Sequence, residues 1–220
     1  HQGPRRHLLS TGDLDTVLLR SQDLGFLGPG PVARHIEHGR ALLAGLPEQG
    51  RVLDLGSGGG LPGLVLATYR SELELTLLET RQRACRFLRE AVATLELTRV
   101  TVVEARAEDA ARRPDLRESF DAVVARSFGP PAVTAECAVG FVRTGGRLVV
   151  SEPPGDEERD GADRWPQPGL EELGLSPAAA GGGPGASFVL MEKTRPDERW
   201  PRRVGLPAKR PLWSSAGGPV

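Results

Sequence analysis

Short apolar runs alternate with helix-like segments through the central part of the chain. Five apolar runs predict strands, at 52–55, 73–78, 100–104, 120–124 and 147–150. Segments with helical spacing predict helices between them, at 61–69, 81–95, 107–112 and 132–142. Strands that alternate with helices predict an α/β fold, here a doubly wound, Rossmann-like parallel sheet with helices on both faces. Ligands of such sheets bind beyond the carboxyl ends of the strands.

The N-terminal part of the chain lacks this alternation. We expect residues 1–10 to be disordered. A short helix is marked by Leu14, Val17 and Leu18, and a second helix is predicted over 32–44. The fold class is therefore an α/β domain with N-terminal helices.

The segment after the fifth strand changes character. Residues 152–186 open with an acidic cluster and end in an Ala/Gly/Pro tract at 177–186. We expect mostly mobile loop there, with a brief helix at 170–173. A late strand is predicted over 187–193, with a partner near 173–179.

The first predicted strand ends in a glycine-rich loop. Gly56, Gly58 and Gly60 follow at alternate positions, and Pro62 suits the first turn of the next helix. Glycines allow the backbone to approach a ligand closely, and a helix N-terminus presents free N–H groups, so the loop is predicted to hold a nucleotide-like cofactor. A dinucleotide fingerprint fails because Leu61 stands where its third glycine belongs. A glycine turn without a ligand is the alternative.

Carboxylates follow the second and third strands. Glu79 lies about twenty residues past the loop, where a carboxylate can accept both hydroxyls of an adenosine ribose. Its alternative role is a cap for the following helix. Glu108 and Asp109 follow the third strand, near the expected adenine, which the N–H group of Ala107 or Glu108 could contact. A capping carboxylate is nearly as good an explanation there.

Asp54, Gly56, Gly58 and Gly60, in register with the end of the first strand, resemble the first motif of class I S-adenosylmethionine-dependent methyltransferases. In those enzymes the methyl acceptor lies at the exit of the fourth strand, where this chain has Arg126 and Phe128. An arginine stays protonated and is a poor general base, so the chemistry there should need no base. Guanine N7 is such a target because it carries a free lone pair and no proton, and its methylation needs mostly positioning. Arg126 would hold the base or a phosphate, and Phe128 would stack on it.

Composition limits the other possibilities. The net charge is −1, so nucleic-acid binding would depend on local charge. His35 and His38 have no third ligand nearby, which argues against a metal site, and Cys85 and Cys137 are expected to be core residues. No membrane span or signal peptide is visible, so we expect a cytoplasmic protein.

A basic stretch with interleaved tryptophans lies near the C-terminus, at 193–213. Basic residues with aromatics suit an RNA backbone and stacked bases. A solvated tail whose tryptophans pack on the domain is an equally good explanation.

Several motifs together resemble the bacterial RsmG/GidB family. They are the loop 54–63 (Asp-Leu-Gly-Ser-Gly-Gly-Gly-Leu-Pro-Gly), the run 77–79 with Arg83 and 87–88 after it, the segments 105–108 and 124–128, the helix residues 34–36, and the terminal stretch 200–212. The resemblance covers roughly 32–150 and 187–212. It implies a class I S-adenosylmethionine-dependent methyltransferase that modifies N7 of a guanine in 16S ribosomal RNA of the small subunit.

The resemblance and the loop together define the expected site. Cofactor contacts are expected at the strand ends, from Asp54, Gly56, Ser57, Gly58, Gly60, Leu61, Glu79, Ala107, Glu108 and Arg126. RNA contacts are expected from Arg106, Phe128, Arg202, Arg203 and Lys209, with Arg126 also positioning the substrate. The methyltransferase domain would span 51–193, after a helical extension over 1–50 and before a basic tail over 194–220. A monomer without metal is expected.

The chain departs from the family in places that concern the substrate. A Gly/Pro stretch at 23–31 replaces the family's Asn-Leu-Thr segment, and Glu152-Pro153 stands where the family has Lys-Gly. A carboxylate there would repel RNA phosphate. A methyltransferase for a small molecule or another RNA, and a non-catalytic binding module, remain as alternatives.

Overall fold

The computed structural model describes residues 11–153, 164–183 and 186–214. A seven-stranded sheet forms its centre, with the strand order β3-β2-β1-β4-β5-β7-β6. The strands are β1 (Gly50–Leu55), β2 (Leu73–Glu79), β3 (Val100–Glu104), β4 (Phe120–Ala125), β5 (Val142–Ser151), β6 (Ala179–Gly183) and β7 (Ala186–Glu192). β1 to β5 pair in parallel, whereas β7 lies antiparallel to β5 and β6 antiparallel to β7. The predicted parallel sheet is confirmed, and its order reverses between β1 and β4.

Helices cover both faces of the sheet. They are α1 (Thr11–Asp23), α2 (Val32–Ala41), α3 (Gly63–Tyr69), α4 (Gln82–Thr94), α5 (Ala107–Ala110), α6 (Pro131–Val139), α7 (Gln167–Glu172) and α8 (Leu206–Lys209), with a 3-10 turn at Leu42–Gly45. The period-2 alternation of each strand divides the core between the faces. In β1, Val52 joins one buried cluster, with α1 to α4, and Leu53 joins the other, with α6, α7 and the C-terminal segment.

Strand β6 corrects the expectation of loop at 177–186. Its residues, Ala179–Gly183, are poor β formers, and the predicted partner near 173–179 was placed too early. A cross-strand contact explains why small residues suit this strand. Gly181 pairs with Phe188 of β7, and a Cβ at Gly181 would lie 2.4 Å from the Phe188 ring. The aromatic ring covers the glycine, so the strand is stabilised from its neighbour.

The region between α6 and β5 also differs from the prediction. The helix expected to reach 142 ends at Val139, and the strand expected to begin at 147 begins at Val142. Val142 already pairs with Phe120 of β4, across an irregularity in register. Burial of these apolar residues between strands therefore outweighs the helical spacing of the sequence.

Both ends of the described chain pack on the sheet. Leu14 and Leu18 of α1 are fully buried in the same cluster as α3 and α4, and Trp200 and Trp213 are buried in the cluster of α6. The division into three units stays a prediction. The expected disorder of 1–10 and the acidic residues at 156–163 lie outside the described residues.

Candidate cofactor and substrate site

Three cavities lie at the carboxyl ends of β1, β2, β4 and β5, beside the reversal of strand order. The strand-end cavity, about 350 Å³, is lined by Glu79 and Ala107, and the loop cavity, about 320 Å³, by the glycine loop. The outer cavity, about 410 Å³, lies beside Ser151. Ser127 lines all three cavities. Pockets for small ligands measure roughly 300–1,000 Å³, so each can hold part of a cofactor or a base.

The glycine loop turns back from β1 across the end of β2. The N–H groups of Gly56 and Ser57 both donate to the carbonyl of Leu78, at 2.9 Å. Gly56 has a φ of +74°, and a Cβ on it would lie 2.6 Å from Cδ2 of Phe128. The backbone therefore forms the cavity wall where a side chain would not fit.

Asp54 supports the loop from behind. Its side chain is fully buried on the α3 face, and its Oδ2 accepts the Gly63 N–H at 3.0 Å. Oδ1 has no hydrogen-bond partner among the described residues. Burial raises the pKa of this carboxyl to about 7, against the opposing hydrogen bonds from Ser57 and Gly63. Asp54 thus fixes the start of α3 rather than facing a cavity.

Glu79 ends β2 with its carboxylate at the wall of the strand-end cavity. Oε1 accepts the N–H groups of Thr80 and Arg81 at 2.9 and 2.8 Å, and Oε2 accepts the Gly58 N–H at 2.9 Å. Burial acts to raise the pKa of Glu79, but hydrogen bonds from Arg81 and Gly58 lower it overall. The N–H groups of Thr80 and Arg81 precede Gln82, the first residue of α4, so Glu79 stabilises the turn before the helix rather than capping it. The ribose role stays open because the carboxylate also lines the cavity.

The far wall of the strand-end cavity combines the β3 exit with the C-terminal segment. Arg106, Ala107 and Glu108 line it, as does Ala208 of α8. Glu108 Oε1 accepts the N–H of Gly205 at 2.9 Å. Its side chain thus ties the C-terminal segment to this cavity.

Arg126 stands between the loop cavity and the outer cavity and lines both. Its Nη2 lies 3.1 Å from Nδ1 of His35 in α2. Arginine only donates, so Nδ1 must accept and the His35 proton lies on Nε2. Burial and the Arg126 charge both lower the pKa of His35, which agrees with a neutral ring. Burial likewise lowers the pKa of Arg126, and its Nη1 has no partner among the described residues.

The outer cavity holds Glu152, the residue that departs from the family pattern. Its Oε1 accepts the Trp165 indole N–H at 3.0 Å, and its Oε2 lies 3.1 Å from Nε of Arg164. Only 12% of the Glu152 side chain is exposed. Its charge is therefore paired within the domain, which weakens the expected repulsion of phosphate.

Comparison with known proteins gives the family. A family model described as rRNA small subunit methyltransferase G matches residues 32–160. A protein named Ribosomal RNA small subunit methyltransferase G, from Moorella thermoacetica, is 39% identical over 175 residues, covering 76% of this chain and 71% of that protein. The protein of that name in Thermotoga maritima is 36% identical over 171 residues, covering 74% and 69%. The chain belongs to the GidB family.

Solved structures confirm the fold class of this GidB-family chain. SibL, an S-adenosylmethionine-dependent methyltransferase in its apo form, has a TM-score of 0.59 and 21% identity, covering 82% of this chain and 70% of that one. The TYW2 protein of M. jannaschii, in complex with AdoMet, has a TM-score of 0.57 and 17% identity, covering 77% and 78%. The fold is that of S-adenosylmethionine-dependent methyltransferases.

The structure brings most of the sequence-predicted residues to the three cavities. They are lined, among the predicted residues, by Gly56, Ser57, Gly58, Leu61, Glu79, Arg106, Ala107, Glu108, Arg126 and Phe128. Gly60 faces Leu64 instead, since a Cβ on it would lie 2.4 Å from that side chain. The contacts themselves stay predictions.

The C-terminal basic residues divide into two kinds. Arg202 donates to the fully buried Glu136 through Nε at 2.7 Å and Nη2 at 2.6 Å. Arg203 and Lys209 are exposed. Arg202 therefore holds the C-terminal segment on α6, while RNA contacts from these residues stay predictions.

Several cavity residues were not recognised as such from the sequence. Among them, Phe26 lies in the α1–α2 connection, His35 in α2, Arg81 just before α4 and Trp165 just before α7. Phe26, His35 and Trp165 reach the site through tertiary packing, whereas Arg81 and Ser127 lie close to the predicted Glu79 and Arg126 in sequence. Ser127 has a φ of +56°, and such strain in a non-glycine residue is typical of functional sites.

Two classes of site receive no support from the described part of the chain. No group of three or more His, Cys, Asp or Glu side chains there is placed to hold a metal ion. No helix among these residues is long and apolar enough to cross a membrane. Cys85 and Cys137 are buried and free, as expected.

Proposed function

We propose that the protein is an S-adenosylmethionine-dependent methyltransferase that modifies N7 of a guanine in small-subunit (16S) ribosomal RNA. Membership of the GidB family and the names of its relatives support this class of reaction. An RNA substrate of this kind implies a cytoplasmic protein, which we propose acts as a monomer.

The residues present fit the cofactor. Gly56 lines the cavities with bare backbone, with the Phe128 ring so close that a Cβ on Gly56 would lie 2.6 Å from it, and the Glu79 carboxylate borders the strand-end cavity. Gly56, Arg81 and Ser127 line both the strand-end and the loop cavity, so the two together suit an elongated ligand. Ala107 and Glu108 would hold the adenine, Glu79 the ribose, and the glycine loop the amino-acid end, with Arg126 beside it at the acceptor side. When bound, S-adenosylmethionine supplies an electrophilic methyl group on a positively charged sulfur.

We propose guanine N7 as the acceptor atom because no general base is available at the β4 exit among the described residues. Among the described residues there, the His35 lone pair at Nδ1 is engaged by Arg126, His38 Nε2 lies 2.8 Å from Ser151 Oγ, and Glu152 is paired. Such an arrangement suits an acceptor atom that loses no proton. Guanine N7 meets this condition, whereas an exocyclic amine does not.

Positioning is then the main contribution of the side chains. Arg126 can donate to guanine O6, a common pairing of arginine with guanine. Phe128 lines both the strand-end and the outer cavity, so its ring can stack on the base.

Labelled methyl transfer to RNA tests this proposal. The purified protein would be incubated with small subunits that lack the modification and with S-adenosylmethionine carrying an isotopic methyl group. The expected product of nuclease digestion, identified by mass spectrometry, is labelled 7-methylguanosine. Label in another nucleoside, or none in RNA, would contradict the proposal. Free RNA and large subunits serve as control substrates.

A different RNA substrate is the second candidate, and Glu152 with its neighbours motivates it. The outer cavity combines this carboxylate with Trp165, which differs from a surface built only for phosphate. Label found in another RNA at higher yield than in small subunits would favour it. A small-molecule acceptor would instead bind with little dependence on salt, because phosphate contacts make RNA binding steeply salt-dependent.

A further inference from the structure

Arg81 occupies a position between the two halves of the proposed cofactor site. It lines both the strand-end cavity and the loop cavity. Its guanidinium lies over the glycine loop, since a Cβ at Gly58 would be 3.5 Å from Arg81 Nη2. The Arg81 side chain is 56% exposed, whereas the Glu79 side chain beneath it is 6% exposed. Arg81 is therefore a half-exposed cation placed above a buried anion.

The Glu79 carboxylate is already saturated with donors. It accepts five N–H groups, two of them from the Arg81 side chain and three from backbone amides. An ionised carboxylate offers about four lone-pair sites. The bonds from Arg81 Nε and Nη2 are 3.2 and 3.4 Å, whereas the backbone bonds are 2.8 to 2.9 Å. The side-chain bonds are thus the longest and the first to be replaced.

Ribose hydroxyls can bind Glu79 only at the places that Arg81 now holds. The three backbone donors are fixed by the strand end and the loop, whereas Arg81 can rotate into solvent. A released guanidinium needs a new partner. The Phe26 ring, 6.0 Å from the Arg81 Cζ, offers only a weak cation–π contact.

The loop cavity, which Arg81 also lines, offers a stronger partner when the cofactor is bound. The amino-acid end of S-adenosylmethionine carries a carboxylate, and guanidinium–carboxylate pairs are frequently bidentate. Arg126 also lines this cavity, and its buried Nη1 has no hydrogen-bond partner among the described residues, but its Nη2 is held by His35, so it is less free to move than the half-exposed Arg81. Arg81 is thus the cation that can adjust to an incoming carboxylate.

We propose that Arg81 exchanges partners when the cofactor binds, leaving Glu79 to the ribose hydroxyls and pairing with the carboxylate of the cofactor. This inference rests on the proposed cofactor site. It makes Arg81 a residue that selects for ligands with an intact amino-acid end. A ligand with adenosine alone must displace Arg81 without gaining the new pair.

Calorimetric titration with two ligands tests the exchange. The ligands are S-adenosylmethionine and 5′-methylthioadenosine, which shares the adenosine and lacks the carboxylate. Arg81→Gln should weaken binding of S-adenosylmethionine about tenfold, because the pair with the ligand carboxylate is lost and the freed Glu79 offsets part of that loss. The same change should strengthen binding of methylthioadenosine about threefold, because the competitor for Glu79 is removed. For both ligands, the affinity of Arg81→Lys should lie between the affinities of the unaltered protein and of Arg81→Gln.

Arg83→Gln is the matched control. The Arg83 guanidinium lies 5.8 Å from the same Phe26 ring but is not among the donors to Glu79 in the described structure. Its replacement should leave both affinities unchanged. Equal shifts of both ligands in Arg81→Gln, or no shift of either, would overturn the exchange. Failure of the unaltered protein to bind either ligand would instead overturn the proposed function, and the inference with it.

Discussion

The cofactor side and the acceptor side of the site are built in different ways. On the cofactor side, the glycine loop and Glu79 come from consecutive elements, and their bond joins residues 21 apart. On the acceptor side, the pair of His35 with Arg126 spans 91 residues, and that of His38 with Ser151 spans 113. The cofactor side is formed mainly by backbone, whereas the acceptor side is formed by side chains that come together from distant parts of the chain. A site formed by the backbone of consecutive elements is therefore far easier to recognise in a single sequence.

The C-terminal segment gives the sharpest test of how far the site depends on packing between residues that are distant in sequence. Arg202→Ala should lower the free energy of unfolding by about 3–5 kcal/mol, because it leaves the buried Glu136 carboxylate without its partner. Urea unfolding followed by fluorescence measures this. Arg203→Ala is the control next to it; its side chain is exposed, and the change should be within about 0.5 kcal/mol.

The double variant Arg202→Ala, Glu136→Leu separates the lost ion pair from the lost packing. It should be more stable than Arg202→Ala alone, since the orphaned charge is gone. Equal stability of Arg202→Ala and Arg203→Ala would show that the pair with Glu136 is not structural. In that case the RNA-binding role predicted for Arg202 would become its main explanation.

Arg126→Ala should impair the acceptor side of the site and leave the cofactor side nearly unchanged. The rate of methyl transfer should fall by about 100- to 1,000-fold, because the residue that positions the acceptor is removed. The affinity for S-adenosylmethionine should change less than about threefold, since the glycine loop and Glu79 are intact. Single-turnover rates and calorimetry measure the two quantities. Full turnover in Arg126→Ala would remove Arg126 from the mechanism.

The fold was predictable where the sequence carries its own periodicity. The five parallel strands and the loop after β1 were identified because buried strands and glycine turns leave a local signal. Strand β6 was missed because its glycines and alanines are stabilised by Phe188 of β7, which no local pattern reveals. The role of Arg202 was missed for the same reason, since Glu136 lies 66 residues away.

Gly56→Ala tests whether the cofactor side depends on backbone shape. The added Cβ would lie 2.6 Å from the Phe128 ring, which lines the strand-end cavity, so affinity for S-adenosylmethionine should fall about 10- to 100-fold. Gly145→Ala is a control for backbone strain alone, because Gly145 has a φ of +75° against +74° for Gly56. A Cβ at Gly145 would be 3.6 Å from its nearest neighbour, an Arg143 nitrogen. Similar losses of affinity in both variants would point to strain rather than to the cavity wall.

The smallest expected effect is the pH dependence of stability that comes from Asp54, whose buried side chain supports the glycine loop. Burial raises its pKa to about 7, above the usual value, so the folded state binds a proton more tightly than the unfolded state. Its contribution to stability is therefore present at low pH and is lost as pH rises from about 4 to about 7. Between pH 5 and pH 7 this loss is about 2 kcal/mol.

Asp54→Asn should remove that dependence while its amide oxygen still accepts the Gly63 N–H. Other carboxyl groups titrate in the same range, so the useful quantity is the difference in unfolding free energy between the two proteins at each pH. That difference should shift by about 2 kcal/mol in favour of the Asn variant from pH 5 to pH 7. A constant difference would mean that Asp54 is ionised throughout. The positive charge of Arg126, which favours the ionised form of Asp54, would then outweigh the effect of burial, and the cofactor side would depend on a buried charge as well as on backbone shape.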